Sequence, residues 1–201
     1  MIIAKKENGV KPENSLSPVG EEQARQAGVQ LRALLDASGG TSKLIVCTSP
    51  FSRTIATARL ALEGAGLPEL ADDAERFQLV DALMERDFSA ALEKQHYSVG
   101  YDSTWAEDAL SSAYKAGALQ GGSDGESVDD VAARLRAMFK DLETRYQGHD
   151  IVLASHGDTL SILQCTMEGT DGKEHRRFAF GNCELRKLGS GLKDAAHYEG
   201  Y

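Results

Sequence analysis

Apolar positions along this chain fall into two kinds of run, and the way they alternate predicts the architecture. Leu44, Ile45, Val46 and Cys47 form an unbroken apolar stretch, as do Ile151, Val152, Leu153 and Ala154. Short continuous runs of this kind, bounded by small polar residues, read as strands buried on both faces. A shorter apolar start, Ile2 and Ile3, reads as an opening strand. Between these runs the spacing is helical. Val19, Ala24, Ala27, Leu31, Leu34 and Leu35 recur along residues 18–38, with Ser17 as N-cap, Pro18 at the first helical position, Glu21 and Glu22 in the first turn, and Gly39-Gly40 as the stop. Residues 51–63 form a second helical stretch closed by Gly64 and Gly66. Val131, Leu135, Met138, Phe139 and Leu142 mark one face of a third helix, 128–146, and a fourth covers about 159–167.

Other segments are less regular. Residues 77–88 combine an extended apolar piece with a charged turn. Residues 89–125 place Tyr97, Tyr101, Trp105 and Tyr114 among polar residues, and read as a partly helical excursion, because a long structureless loop is improbable in a compact domain. Residues 182–188 alternate like an edge strand, and the glycine-rich 189–201 reads as a loosely held tail. Strands alternating with helices predict an α/β fold. The expectation is a three-layer sandwich with a mainly parallel central sheet, helices on both faces, an insertion at about 89–125 over the site, and one domain spanning 1–201.

Composition narrows the function classes. The 201 residues, 41% hydrophobic and 26% charged, have the profile of a globular chain with a sizeable core. A net charge of -9 gives no chain-wide attraction to nucleic acid or to an anionic membrane, so any phosphate must be held locally. Cys47, Cys165 and Cys183 lack the spacing of a disulfide framework or a zinc site and read as reduced thiols. No metal or cofactor motif is present, so none is expected. The start of the chain does not read as a secretory leader, and no run approaches the ~18 apolar residues of a membrane span, so the expected location is cytoplasmic.

In parallel sheets, ligands sit beyond the carboxyl ends of strands. That rule marks residues 4–7, 48–53 and 155–158. Arg53 lies in the first turn of a helix that starts where a strand ends, where its guanidinium and free backbone N–H groups can address one anion; the alternative is a surface arginine beside an ordinary cap. His156 leaves an apolar strand and precedes Gly157, which permits close backbone approach; it reads as a phosphate donor, acid, base or nucleophile, or else as a core histidine satisfied by a carbonyl. Glu85 can be a half-buried proton donor or a solvated carboxylate paired with Arg86 or Arg53. Tyr97, Tyr101 and Trp105 are a lid over a substrate or packing for the excursion. His96 belongs to that lid at most, and His149, His175 and His197 read as surface residues.

The segments TSPFSRTIATA, LMERDF, GGSDGESVDDVAARL, IVLASHGDTLSILQ and FAFGNCELRKL, in this order, resemble the histidine phosphatase superfamily, the phosphoglycerate mutase-like proteins, and SLSPVGEEQARQAG resembles that family's first helix. The resemblance covers nearly the whole chain. It implies that Arg53 is the second phosphate-clamping arginine, His156 the second histidine and Glu85 the proton donor. The first family motif, Arg-His-Gly after strand one, is replaced by Ala4-Lys5-Lys6, so Lys5 stands at the position of the nucleophilic histidine. Asn14 matches the family asparagine only if the intervening loop differs in length. A lysine beside a phosphate stays an ammonium and is no nucleophile, though it can help hold the anion.

The resemblance therefore implies an impaired phosphatase or a phosphate-binding pseudophosphatase, acting on phosphate or a small phosphorylated molecule through Arg53, Lys5, Gly157, His156 and Glu85. The alternative is an active phosphomonoesterase that uses His156 or an activated water with Glu85 as acid. A protein partner is a further expectation, the oligomeric state is left open, and an altered start of the chain is a third reading of the first motif.

Overall fold

The computed structural model describes residues 3–39 and 43–188. Residues 189–201, the expected tail, and Met1 and Ile2 lie outside that range. In chain order the main elements are α1 (Lys6–Gly9), α2 (Pro18–Ser38), β1 (Leu44–Thr48), α3 (Ser52–Gly64), β2 (Phe77–Leu79), α4 (Tyr97–Asp108), α5 (Val128–Arg145), β3 (Asp150–Ala154) and α6 (Gly157–Glu168), joined by short 3₁₀ turns. Local chemistry sets several boundaries. The Ser17 hydroxyl accepts from Gly20 N–H at the start of α2, and Gly39 ends it with a left-handed φ of 105°. Ser127 and Asp130 form a reciprocal capping box on α5.

The sheet is parallel, in the order β2-β1-β3, with Leu44–Thr48 in register with Asp150–Ala154. Alternation along β1 sends Leu44 and Val46 to one face, against Leu31 and Leu35 of α2 and Ala58 and Leu62 of α3. Ile45 and Cys47 go to the other face, against Val131 and Leu135 of α5 and Ile162 and Leu163 of α6. Helices thus cover both faces, as the apolar runs predict. The α2–α3 contact is close because two glycines line it: a Cβ on Gly28 would fall 2.2 Å from the Ala61 carbonyl oxygen, and one on Gly64 2.1 Å from that of Arg25. Among the described residues, no helix is long and apolar enough to cross a membrane.

Two expected strands are not in the sheet. Ile3 pairs instead with the excursion, donating to Gln95 O (3.0 Å) and accepting from Lys94 N–H (2.8 Å), and it is buried against Phe88, Leu92 and Tyr101. The apolar start has found its backbone partners and its burial there, and Lys6 already begins α1. Residues 182–188 also join no ladder. Cys183 takes a left-handed φ of 53°, Glu184 accepts from Gly181 N–H, and Arg186 bonds the carbonyls of Phe178 and Ala179, so side-chain links replace a strand register. Leu185 and Leu188 nevertheless pack against the cores on the two faces of the sheet.

One consequence concerns β3, an apolar strand at the edge of the sheet. Asp150 N–H bonds Lys43 O, and Ala154 O accepts from Ser49 N–H, so residues 150, 152 and 154 point their backbone groups at β1. The N–H and C=O groups of Ile151 and Leu153 point outward.

Candidate active site

The carboxyl ends of β1 and β3 open into a cavity of about 920 Å³ whose walls include Arg53, Glu85, His156 and Gly157. Three of the residues singled out by sequence, Arg53, Glu85 and His156, are therefore brought together with Gly157 beside them. Arg53 comes from the first turn of α3, His156 is the N-cap residue of α6, and Glu85 follows the turn after β2.

His156 is 5% exposed and its two ring nitrogens are both engaged. Arg53 Nη2 lies 3.0 Å from Nδ1, and Ser49 Oγ lies 2.8 Å from Nε2. A guanidinium can only donate, so Nδ1 accepts, and Nε2 carries the proton that it donates to the serine. Burial, then the nearby charges of Arg53 and Arg134, depress the His156 pKa well below the ordinary histidine value. The imidazole is neutral here. Burial is the larger cause, and the Arg53 charge adds to it without a counter-ion of its own: among the described residues, the Arg53 side chain forms no ion pair, only the bond to His156 and a stack 5.0 Å from the Phe51 ring centre.

Glu85 is partly buried and held by α6. Its Oε1 accepts from Thr159 N–H (3.3 Å), Thr159 Oγ1 (3.1 Å) and its neighbour Arg86 N–H (3.0 Å). Burial, reinforced by the Asp158 carboxylate, raises its pKa, against the opposing pull of Arg53 and these donors. A carboxyl kept protonated into a higher pH range, facing the same cavity as Arg53, is equipped to deliver a proton to a leaving oxygen. Gly157 has open space where a side chain would stand, so an anion can approach the first turn of α6.

Lys5 is placed elsewhere. Its Nζ is 2.7 Å from Asp124 and 3.3 Å from Asp87, and it does not line the cavity. The Asp124 hydrogen bond holds its pKa above the ordinary lysine value. Asn14 does line the cavity, beside Glu13. Tyr97, Tyr101 and Trp105 of α4 line the cavity, and Tyr101 also packs the excursion by stacking on Phe88 with ring centres 4.4 Å apart.

Sequence reasoning missed a buried cluster behind the cavity. Arg86 is fully buried, gives two bonds to Asp108 (2.6 and 2.9 Å) and reaches Asp158 at 3.4 Å. Asp158 also accepts from Trp105 Nε1 at 2.9 Å and lies 3.3 Å from His175 Nε2. His175, expected at the surface, is fully buried because the turn after α6 folds it back onto these carboxylates. Burial works against an ionised Asp158, but His175 and Arg86 outweigh it and hold its pKa below the usual value. The signal available in the sequence was the polar Asp158 one position after the strand-end glycine. Among the described residues, no group of His, Cys, Asp and Glu has the makings of a metal site.

A parallel sheet with an arginine, a histidine and a glutamate gathered at its strand ends defines an α/β protein with a polar pocket beyond the carboxyl ends of its strands. The sequence profile of the histidine phosphatase superfamily (branch 1) matches residues 5–194, and the chain belongs to that superfamily. Among its relatives, the probable phosphoglycerate mutase GpmB of Enterobacter sp. (strain 638) is 28% identical over 178 residues, covering 88% of this chain and 74% of that protein. Solved structures with the same fold include Mycobacterial hydrolase 1 (TM-score 0.62, 21% identity, 84% of this chain and 74% of the other). The native mycobacterial glucosyl-3-phosphoglycerate phosphatase is another (TM-score 0.58, 22% identity, 81% and 73%).

Proposed function

We propose that this chain is a phosphate-binding member of its superfamily with impaired phosphomonoesterase activity, taking phosphate or a small phosphate monoester between Arg53, His156 and the first turn of α6. The observation that carries the reading is Arg53: a guanidinium at an open cavity with a neutral histidine at 3.0 Å and, among the described residues, no carboxylate paired with it. An anion there gains a charge-assisted pair and lets His156 take up a proton. Impairment follows from two features. Ala4-Lys5-Lys6 occupies the first motif, and Lys5 is bound to Asp87 and Asp124. His156 is a poor substitute nucleophile, since its one lone pair is directed at Arg53 and its N–H at Ser49.

The test is thermal unfolding with and without millimolar phosphate or vanadate, alongside hydrolysis of p-nitrophenyl phosphate. Stabilisation by both anions is expected, of about 2.7 kcal/mol at a hundredfold excess over Kd. The Arg53→Ala variant should unfold at a similar temperature and lose the anion effect, and turnover should be slow. Absence of any anion effect defeats the binding reading; vigorous turnover defeats the impairment.

A further inference from the structure

The Asp158 side chain has no exposed surface, yet its two oxygens reach three separate parts of the chain. Oδ1 accepts from Trp105 Nε1 of α4 at 2.9 Å, and lies 3.3 Å from His175 Nε2 and 3.5 Å from Arg176 Nη1 in the turn after α6. Oδ2 accepts from Arg86 Nη1 at 3.4 Å. Arg86 and His175 would suffice to pair a buried carboxylate. The indole supplies no charge, but it is a wall of the cavity, and the Arg176 guanidinium lies over it at 3.6 Å from the ring centre. Trp105 and Arg176 thus lean on each other and on one oxygen.

The connection runs on to Glu85. Glu85 and Arg86 are consecutive, as are Asp158 and Thr159, and the two pairs are joined twice. Toward the cavity, Thr159 N–H and Oγ1 donate to Glu85 Oε1; in the interior, Arg86 donates to Asp158. Arg86 N–H bonds the same Glu85 oxygen. The first turn of α6 cannot slide past residues 85–86 without breaking both links. One face of α4 is fastened to this joint, since Trp105 and Asp108, three residues apart, bond Asp158 and Arg86. The ionisable groups that act on Glu85 are Asp158, Arg53 and, on α4, Tyr101. Burial first, and then the like charge of Asp158, favour its protonated form.

We propose that Asp158 is a positioning residue of the site: its carboxylate fixes Trp105 as a wall of the cavity and holds the first turn of α6 in register with Glu85, so that one buried group places both wall and acid. The inference rests on the reading of Glu85 as the acid of a phosphate site. Against the cost of burial, His175 and Arg86 keep Asp158 ionised. It acts on a bound ester only through Glu85 and Trp105.

The test uses NMR of the full chain without any anion. Trp105 is the single tryptophan, so its indole N–H gives one resonance. The Glu85 carboxyl carbon is identified by its loss in Glu85→Gln. In the unaltered protein the indole N–H should be protected from exchange. Asp158→Asn should move the Glu85 titration midpoint to lower pH, because the like charge is gone. Asp108→Asn removes a charge from the same cluster, but among the described residues no side-chain hydrogen bond joins Asp108 to Trp105 or Thr159. It should lower the Tm and leave that midpoint in place. Trp105→Phe keeps a ring in the wall and removes the donor, and should speed exchange at the Thr159 amide by about tenfold or more; it carries the test if Asp158→Asn does not fold. A freely exchanging indole, an unmoved midpoint in Asp158→Asn, an equal shift in Asp108→Asn, or an unchanged Thr159 amide in Trp105→Phe overturns the proposal. No reading here needs phosphate, so absence of anion binding defeats the functional reading alone, and a failure here leaves anion binding at Arg53 untouched.

Discussion

Arg53 and Arg86 both act on Glu85, one through its charge and the other through its backbone N–H, and have opposite surroundings. Arg86 is sealed from solvent with Asp108 bidentate on it, Asp158 behind, and His175 beside the same carboxylates. Arg53 faces a cavity and meets a neutral imidazole and the Phe51 ring. Both lean on α6, Arg86 through Asp158 in its first turn and Arg53 through His156 at its N-cap. A buried charge with its counter-charges supplied by the fold is a structural joint; a charge without them is prepared for an anion from outside. Residue type alone does not separate the two, and the partner list does.

The largest expected effect lies in the sealed region. Asp108→Ala leaves Arg86, in a site sealed from solvent, with the more distant Asp158 as its remaining carboxylate beside the Glu126 and Tyr114 carbonyls. Breaking a buried pair in this way costs about 3–5 kcal/mol. For a chain of this size that lowers the Tm on the order of 10 °C. Calorimetry checks it. A loss within 1 °C would mean that the cluster is not a joint and that the contrast with Arg53 is illusory.

A smaller effect, specific to the open region, is pH dependence. Without an anion, the His156 pKa in the folded protein is well below its unfolded value. The unfolded chain therefore takes the proton first as pH falls, so the stability from neutral His156 is present above about pH 6.5 and is lost as pH drops toward the folded pKa. A bound anion reverses the preference by raising that pKa. Sulfate, whose own charge is constant over the range, should therefore bind more tightly as pH falls from 8 to 5, by up to about tenfold per pH unit where one proton is taken up. Glu85, with its raised pKa, contributes in the same direction by shedding its negative charge. His156→Asn and Glu85→Gln separate the two shares. A sulfate affinity flat across this range in the unaltered protein would show that neither group couples to the anion.

The same contrast explains what the sequence made legible. Both apolar runs became strands in the sheet, and the helix over 18–38 has the predicted bounds, because period and caps are local properties. Arg53, Glu85 and His156 were found since strand ends and motif order point at them. Arg86, Asp108 and His175 were not, because what makes them a unit is tertiary: 22 and 89 residues separate Arg86 from the other two along the chain. Ile3 was read as part of a strand from a short apolar run, and residues 182–188 from alternation. A strand exists only with a neighbour to pair with, and the detour of Ile3 to Gln95 leaves no mark in the pattern of side chains.

Lys5 supplies the finest test, since it resembles neither arginine. Its two carboxylate partners, Asp124 and Asp87, are partly exposed, with side-chain accessibilities of 44% and 30%. Such a pair is screened by water and salt and is worth about 0–1 kcal/mol. Lys5→Ala should therefore move the Tm by no more than about 4 °C, and this difference should shrink in 0.5 M salt. The phosphate-dependent stabilisation should be unchanged, because the ammonium is tied down outside the cavity walls. If the substitution instead removes that stabilisation, Lys5 leaves its carboxylates to meet the anion, and the first-motif position takes part in binding alongside Arg53.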